Sequence, residues 1–199
     1  MAKQKIVIAT NNLSKFEVIR PILMYSGLIN YHFVRPENLG IELDVVETGS
    51  LRNRARIKAV EVYELLKSQG KLSDVYMTVG SDDGIRINIE NKTYSDSKMA
   101  TDRILKKDFV NIGDEITIVR AFAFVLQSGT IFSCITRIPM TFIGNPNNIT
   151  RQEGVYPLEH VLAYKGTFTP IAKLDQETTD KYNQTYMLPK IKKVLSNLA

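Results

Sequence analysis

The spacing of hydrophobic positions changes several times along the chain, and each change predicts an element. Ile6-Val7-Ile8-Ala9 is an unbroken apolar run between polar residues, the pattern of a strand covered on both faces and therefore central in its sheet. Thr10-Asn11-Asn12 follow, and then Phe16, Ile19, Ile22 and Leu23 recur at helical spacing. Ser14 is a suitable cap for that helix, and Pro21 is expected to kink it or end it early. A second helix reads more clearly. Glu47-Thr48-Gly49-Ser50 supplies a turn and a cap, Leu51, Ala55, Ala59, Val62 and Leu66 form one buried stripe, and Gly70 is placed to terminate the helix.

Strand patterns dominate from Val75 onward. Val75 to Val79 runs into Gly80-Ser81-Asp82-Asp83-Gly84, where Asp-Gly is an ordinary turn signal, and Ile85, Ile87 and Ile89 then alternate with polar neighbours. Residues 116–126 and 130–143 are long β-rich runs that read as a hairpin across Ser128-Gly129. One short helix is expected at about 99–108, the stretch 144–178 reads as loop-rich, and a last helix is expected over 179–198 with Pro189 inside it or marking its start. Helices and strands in this order predict an α/β fold built on a mixed sheet. With no linker composition, a single domain over residues 1–199 is expected.

Composition narrows the function classes. The chain has 199 residues, 44% of them hydrophobic, enough for one full-sized core. A single Cys134 excludes an intramolecular disulfide framework, and no secretory pattern follows Met1, so the expected location is cytoplasmic. No apolar run approaches bilayer length, so no membrane partner is expected. The net charge of +5 suits either an anionic partner or plain solubility. Basic runs at RILKK and KIKK lack the aromatic or helix-turn-helix patterns of nucleic-acid readers, which argues against a nucleic-acid module. His32 and His160 are the only histidines, and neither has zinc-ligand spacing.

Two stretches carry candidate chemistry. A strand that stops at Thr10-Asn11-Asn12 and hands over to a helix, with Lys15 in reach, gathers backbone N–H groups and positive charge where a phosphate chain could sit. A plain capped turn with a solvated lysine is the alternative. Ser81-Asp82-Asp83-Gly84 offers the hard oxygen ligands that Mg²⁺ uses when it bridges protein to phosphate, although neighbours in a regular strand face opposite ways. Arg120 interrupts an otherwise apolar strand; it is either an edge residue reaching solvent or a phosphate or dimer contact.

The combination and order of KIVIATNNLSK, ELDVVETGS followed by ARIKA, SDDG, and EGVYPLEHVL ahead of TPIAKLD resembles the inosine triphosphate pyrophosphatase family over nearly the whole chain. The resemblance implies a long mixed twisted sheet with flanking helices, two lobes around a central nucleotide cleft, a homodimer, and Mg²⁺-dependent hydrolysis of a nucleoside triphosphate to monophosphate and pyrophosphate. It implies that Thr10, Asn11, Asn12 and Lys15 form the triphosphate-binding turn. Asp82 and Asp83 would then hold the metal and activate water, with Lys58 as the lysine of the second helix; a solvated helix lysine is the alternative for Lys58.

This chain also departs from the family pattern. Where the family has a Glu-Asn pair before its lysine, the sequence reads LRNRARIKA, so Asn53 stands at the metal-binding carboxylate and Arg54 at the amide. Arg52, Arg54 and Arg56 bring positive charge to a place where a divalent cation is expected, and could contact phosphates directly. The Ser-His-Arg that reads the purine is replaced by the stretch from Tyr182 to Met187. The aromatic-Gly-Tyr-Asp segment becomes Tyr156-Pro157-Leu158-Glu159, with Glu159 at the acidic position. A nucleotide-binding homologue that has lost turnover is the second reading.

Overall fold

The structure is a computed structural model that describes residues 3–105, 109–144 and 157–198. The EGVY part of EGVYPLEHVL, the last residues of the helix expected over 99–108 and the Lys106-Lys107 pair lie outside them.

The elements follow in chain order. Strand β1 (Lys5–Ile8) leads to helix α1 (Leu13–Leu23) and strand β2 (His32–Val34), and helix α2 (Leu51–Ser68) leads to strand β3 (Val75–Ile87). Strand β4 (Lys92–Tyr94) and helix α3 (Ser97–Ile104) precede the long strands β5 (Glu115–Leu126) and β6 (Ile131–Phe142), and strand β7 (Leu162–Tyr164) and helix α4 (Gln176–Leu195) complete the fold. Seven strands form one sheet in the order β2-β1-β3-β5-β6-β7, with β4 also on β3. β1 is parallel to β2 and β3, whereas β4 and β7 pair antiparallel with β3 and β6. The sheet is therefore mixed, as the pattern of helices and strands predicts. Among the described residues no helix is long and apolar enough to cross a membrane.

The chain divides into two compact units. The first comprises residues 1–82, 120–136 and 187–199, and the second comprises 83–119 and 137–186. In the first unit β1 lies between β2 and β3, and its residues Ile6 to Ile8 and the adjoining Ala9 are no more than 1% exposed. Val7 and Ala9 pack with Val62 and Leu66 of α2 and with Val34, Ile41 and Val75; each large aliphatic buried this way stabilises by roughly 1.5–3 kcal/mol. The alternation of the strand sends Ile6 and Ile8 to the opposite face. In the second unit Tyr94 donates to Glu90 at 2.7 Å, Arg103 donates to the same carboxylate at 2.9 Å, and the Arg103 guanidinium lies 4.2 Å from the Phe109 ring centroid. Tyr164 and Tyr182 stack at 4.2 Å there.

Several boundaries differ from expectation for identifiable reasons. Asn12, not Ser14, caps α1 by accepting from the Lys15 backbone N–H at 3.1 Å. α1 continues through Pro21 to Leu23 and passes into a π-helical turn over Met24–Leu28, a form that accommodates a missing intrahelical hydrogen bond. The Ser-Asp-Asp-Gly stretch is not a turn: β3 runs unbroken through it, and the chain turns only at Asn88–Glu90. Ile89 falls in that turn and is 63% exposed. The short helix starts earlier, at Ser97, and α4 spans Gln176–Leu195 with Pro189 inside. The stretch 144–178, expected to be loop-rich, also contains the three-residue strand β7. The β5–β6 hairpin closes as predicted, with Gly129 at φ +85°.

Cys134 on β6 is 7% exposed, and burial pushes its thiol up to about 11 against the opposing pull of Arg52 and Lys190. At about pH 8 roughly one thiol in a thousand is then ionised, so alkylation of the native protein by iodoacetamide should be far slower than after denaturation. Equal rates in the two states would show the site to be open.

Candidate functional site

The N-terminal turn explains its two adjacent amides. Ala9 donates to Val79 O at 2.8 Å, holding the end of β1 against β3, and Thr10 N–H turns back onto Ile8 O at 2.8 Å. Asn12 N–H donates to Thr10 Oγ1 at 3.2 Å while the Asn12 side chain caps α1. Asn11 Nδ2 donates to Leu43 O at 2.9 Å and ties the turn to the segment before α2. One amide starts the helix and the other anchors a loop. The positive end of α1 and Lys15 are thereby fixed at the C-terminal edge of β1.

Helix α2 approaches that edge from the same unit. Gly49 at φ +82° turns the chain, and Ser50 caps the helix by accepting from Asn53 N–H at 3.3 Å. Its small face, Ala55 and Ala59, lies directly on β3, where a Cβ at Gly80 would stand 2.0 Å from Ala55 O and 2.8 Å from Ala59 N. Thr78 Oγ1 donates to Ala59 O at 2.8 Å and seals the contact. Arg54 and Lys58, one helical turn apart on the flank of that face, are thus held over Asp82.

Four charged side chains meet there. Lys58 Nζ lies 2.8 Å from Glu47 Oε1 and 3.2 Å from Asp82 Oδ1, and it also donates to Ser81 O at 3.3 Å. Arg54 donates from Nε and Nη2 to Glu47 Oε2 at 3.1 and 3.0 Å. Its Nε is also 3.1 Å from Asp82 Oδ2, yet that oxygen accepts no hydrogen bond and is closed to solvent, the N–H being directed at Glu47. The side chain of Asp82 is only 7% exposed.

The two acids respond oppositely to this setting. Burial raises the Asp82 carboxyl above the ordinary range and outweighs the pull of Lys58, Lys15 and Arg54. For Glu47 burial also pushes upward, but hydrogen bonds and charge from Lys58 and then Arg54 leave it below its ordinary value. Paired carboxyls driven apart in this way divide into a proton acceptor and a fixed anion. The field of Lys15 at Asp82 also means that the turn after β1 and Asp82 of β3 face one locality, as the C-terminal edge of a parallel pair requires.

The other predicted residues fall as follows. Thr10, Asn11, Asn12, Lys15, Arg54, Lys58 and Asp82 all belong to the first unit. Asp83 is half-buried in β3, and strand alternation directs it away from the face of Asp82. Glu159 lies in the second unit, in a 3₁₀ turn at Pro157–His160. Asn53 is exposed and its Nδ2 donates to Thr48 O at 3.0 Å, so it serves the cap. Arg52 and Arg56 are exposed; only Arg54 of the three arginines contacts the acids. Glu47, read from the sequence as part of a turn, is the addition. Its signal was an acid just ahead of a helix cap, with two cations following on one helix face.

Whether these residues suit a resident Mg²⁺ can be tested on the donor set. Asp82 and Glu47 are both neutralised by Arg54 and Lys58, and Asn53 turns to Thr48. Among the described residues no three or more His, Cys, Asp or Glu side chains gather as a metal-holding group. In this arrangement the set does not fit a divalent ion held by the protein.

No family model and no curated protein matches the sequence. Solved structures do match in shape. The Ham1 protein of Staphylococcus aureus superposes with a TM-score of 0.68 at 14% identity, covering 98% of this chain and 100% of that one. A HAM1 protein from Coxiella burnetii gives 0.66 at 15%, covering 98% and 99%. A nucleoside-triphosphatase described as a dITP/XTP pyrophosphatase, from Mycobacterium abscessus, gives 0.59 at 20%, covering 98% and 97%. Over nearly its whole length, then, the chain has the fold of the Ham1 and dITP/XTP pyrophosphatase structures, at 14–20% identity.

Proposed function

We propose that the protein is a nucleoside triphosphate pyrophosphatase that releases monophosphate and pyrophosphate, with non-canonical purine nucleotides as its substrates. The observation that carries this reading is the buried Asp82 at the edge where Lys15, Arg54 and Lys58 converge. Thr10, Asn11 and Asn12 shape the turn that receives the phosphate chain, and the three cations offset its charge. Asp82 takes a proton from water as the water oxygen bonds to the α-phosphorus. The bond from that phosphorus to the bridging oxygen breaks, and pyrophosphate leaves.

A base with a raised pKa is suited to that transfer near neutral pH. Magnesium enters on this reading with the triphosphate, not as an ion the protein holds alone, and Asp83 is its nearest further carboxylate in sequence. Glu159 belongs to the substrate-binding set of the second unit. A homodimer, a cytoplasmic location and a two-lobed single domain complete the proposal.

The test is pyrophosphate release from ITP, dITP, XTP and the standard nucleotides in magnesium buffer. Release from one of them is expected; silence across the panel would overturn the enzyme reading. Arg54 between the two acids favours one alternative, a nucleotide binder without turnover, and a nucleotide that raises the melting temperature of a silent sample would identify it.

A further inference from the structure

Glu47 reaches the site from a stretch of chain that is neither helix nor strand. Its carboxylate nevertheless lies 2.8 Å from Lys58 and 3.0 Å from Arg54. Apolar packing secures the start of that stretch, where Ile41 is buried and Leu43 packs on the layer of Val7, Val62 and Leu66. Burial of this kind is non-directional, so it leaves the rotation of each peptide open. Val46, beside Glu47, is 81% exposed and adds no packing. Two asparagine amides supply the direction. Asn11 Nδ2 donates to Leu43 O at 2.9 Å from the turn after β1, and Asn53 Nδ2 donates to Thr48 O at 3.0 Å from the first turn of α2. Among the described residues the Asn11 amide is the only hydrogen-bond partner of the chain from Glu42 to Val46.

We infer that Asn11 and Asn53 are positioning residues that clamp the Glu47 segment from both sides, and that Lys58 keeps its place over Asp82 because Glu47 is held there. One amide fixes a carbonyl upstream of Glu47 and the other fixes the carbonyl next downstream. Lys58 Nζ stands between two carboxylates, 2.8 Å from Glu47 and 3.2 Å from Asp82. Asp82 is carried by a strand with its own ladder, whereas Glu47 depends on the clamp. If the segment swings, Lys58 loses the nearer partner and opens toward solvent. Neither asparagine needs to touch a substrate to do this. The inference deepens the reading of these residues as the reaction centre, but its readout needs no turnover, so the two fail separately.

The experiment is acetylation of the full chain by acetic anhydride, with the label on Lys58, whose side chain is 12% exposed, measured by mass spectrometry against exposed Lys67 of the same helix. Asn11→Ala and Asn53→Ala should each raise Lys58 labelling about threefold to tenfold, the range of one lost hydrogen bond, and leave Lys67 unchanged. Asn53→Ala keeps the backbone N–H that donates to Ser50, so the helix cap survives. Glu47→Gln should raise Lys58 labelling by itself, and adding either alanine to it should change labelling less than about 1.5-fold, because residues acting through one partner are not additive. Unchanged labelling in either single variant, or the same increase persisting in the Glu47→Gln background, would overturn the inference. Both asparagines are exposed, and the two cycles are independent, so either one decides the matter for its own residue if the other variant fails to fold.

Discussion

Gly80→Ala is expected to cost about 3 kcal/mol of stability or more, lowering the melting temperature by roughly 6–12 °C. An alanine Cβ would stand 2.0 Å from Ala55 O and 2.8 Å from Ala59 N. Both obstructing atoms are backbone, so no rotamer change relieves the clash. Helix α2 would have to lift from β3, which would strain the Thr78–Ala59 hydrogen bond and open the apolar layer of Val62 and Leu66. The same displacement would carry Arg54 and Lys58 away from Asp82. Gly70→Ala is a useful control, because φ is +67° there and nothing lies within 4 Å of the added carbon, so only backbone strain of about 1 kcal/mol is expected. Thermal and urea unfolding of the two variants measure the difference; a Gly80→Ala protein no less stable than Gly70→Ala would contradict the close helix–strand approach.

The close packing at Gly80 bears on how much of this protein is legible in its sequence, where Asp-Gly just beyond it is the turn signal. Glycine next to Ser-Asp-Asp-Gly looks like a bend, because a close approach from a helix some twenty residues earlier leaves no local trace. By contrast β1 and α2 are plain in the sequence, since their burial is nearly complete on the faces that set the pattern. Ile6 to Ala9 are all covered, and Ala55, Ala59, Val62 and Leu66 are each 0% exposed. Strands β2, β4 and β7 have three residues each, too few for an alternation to register.

The site divides in the same way. Lys58, Asp82 and Lys15 are singled out in the sequence only by a resemblance, whereas the different placing of Asn53 and Arg54 is geometric. Positions 54 and 58 share a helix flank beside 55 and 59, and position 53 is rotated about 100° from 54. Glu47 lies outside the helix altogether, so no periodicity reaches it. Its pairing with Arg54 and Lys58 depends on the cap at Ser50 turning the chain back across the first helical turns.

Asp82→Asn is expected to reduce pyrophosphate release by about 10²–10⁴-fold while leaving the fold intact or slightly firmer. The loss of activity follows from removing the proton acceptor. Stability follows from the direction of the titration: the folded-state pKa of Asp82 lies above its ordinary value, chiefly through burial, so the fold favours the neutral carboxyl. A group shifted upward contributes stability that is complete below its unfolded pKa and is lost as pH rises through the folded value. A neutral amide reproduces the favoured state at every pH, and Lys58 and Arg54 keep Glu47 as a shared partner. Glu47→Gln should behave oppositely in stability. Its pKa is lowered, so its contribution is present above the unfolded value and lost as pH falls through the folded one, and at neutral pH the variant should melt below wild type. Melting curves at neutral pH, read beside the pyrophosphate assay, separate the two acids. If Asp82→Asn kept more than about a tenth of the activity, proton transfer would have to lie with another group. If it melted well below wild type, its carboxylate would be a net anchor for Lys58 and Arg54 and the placing of the base at Asp82 would lose its electrostatic ground.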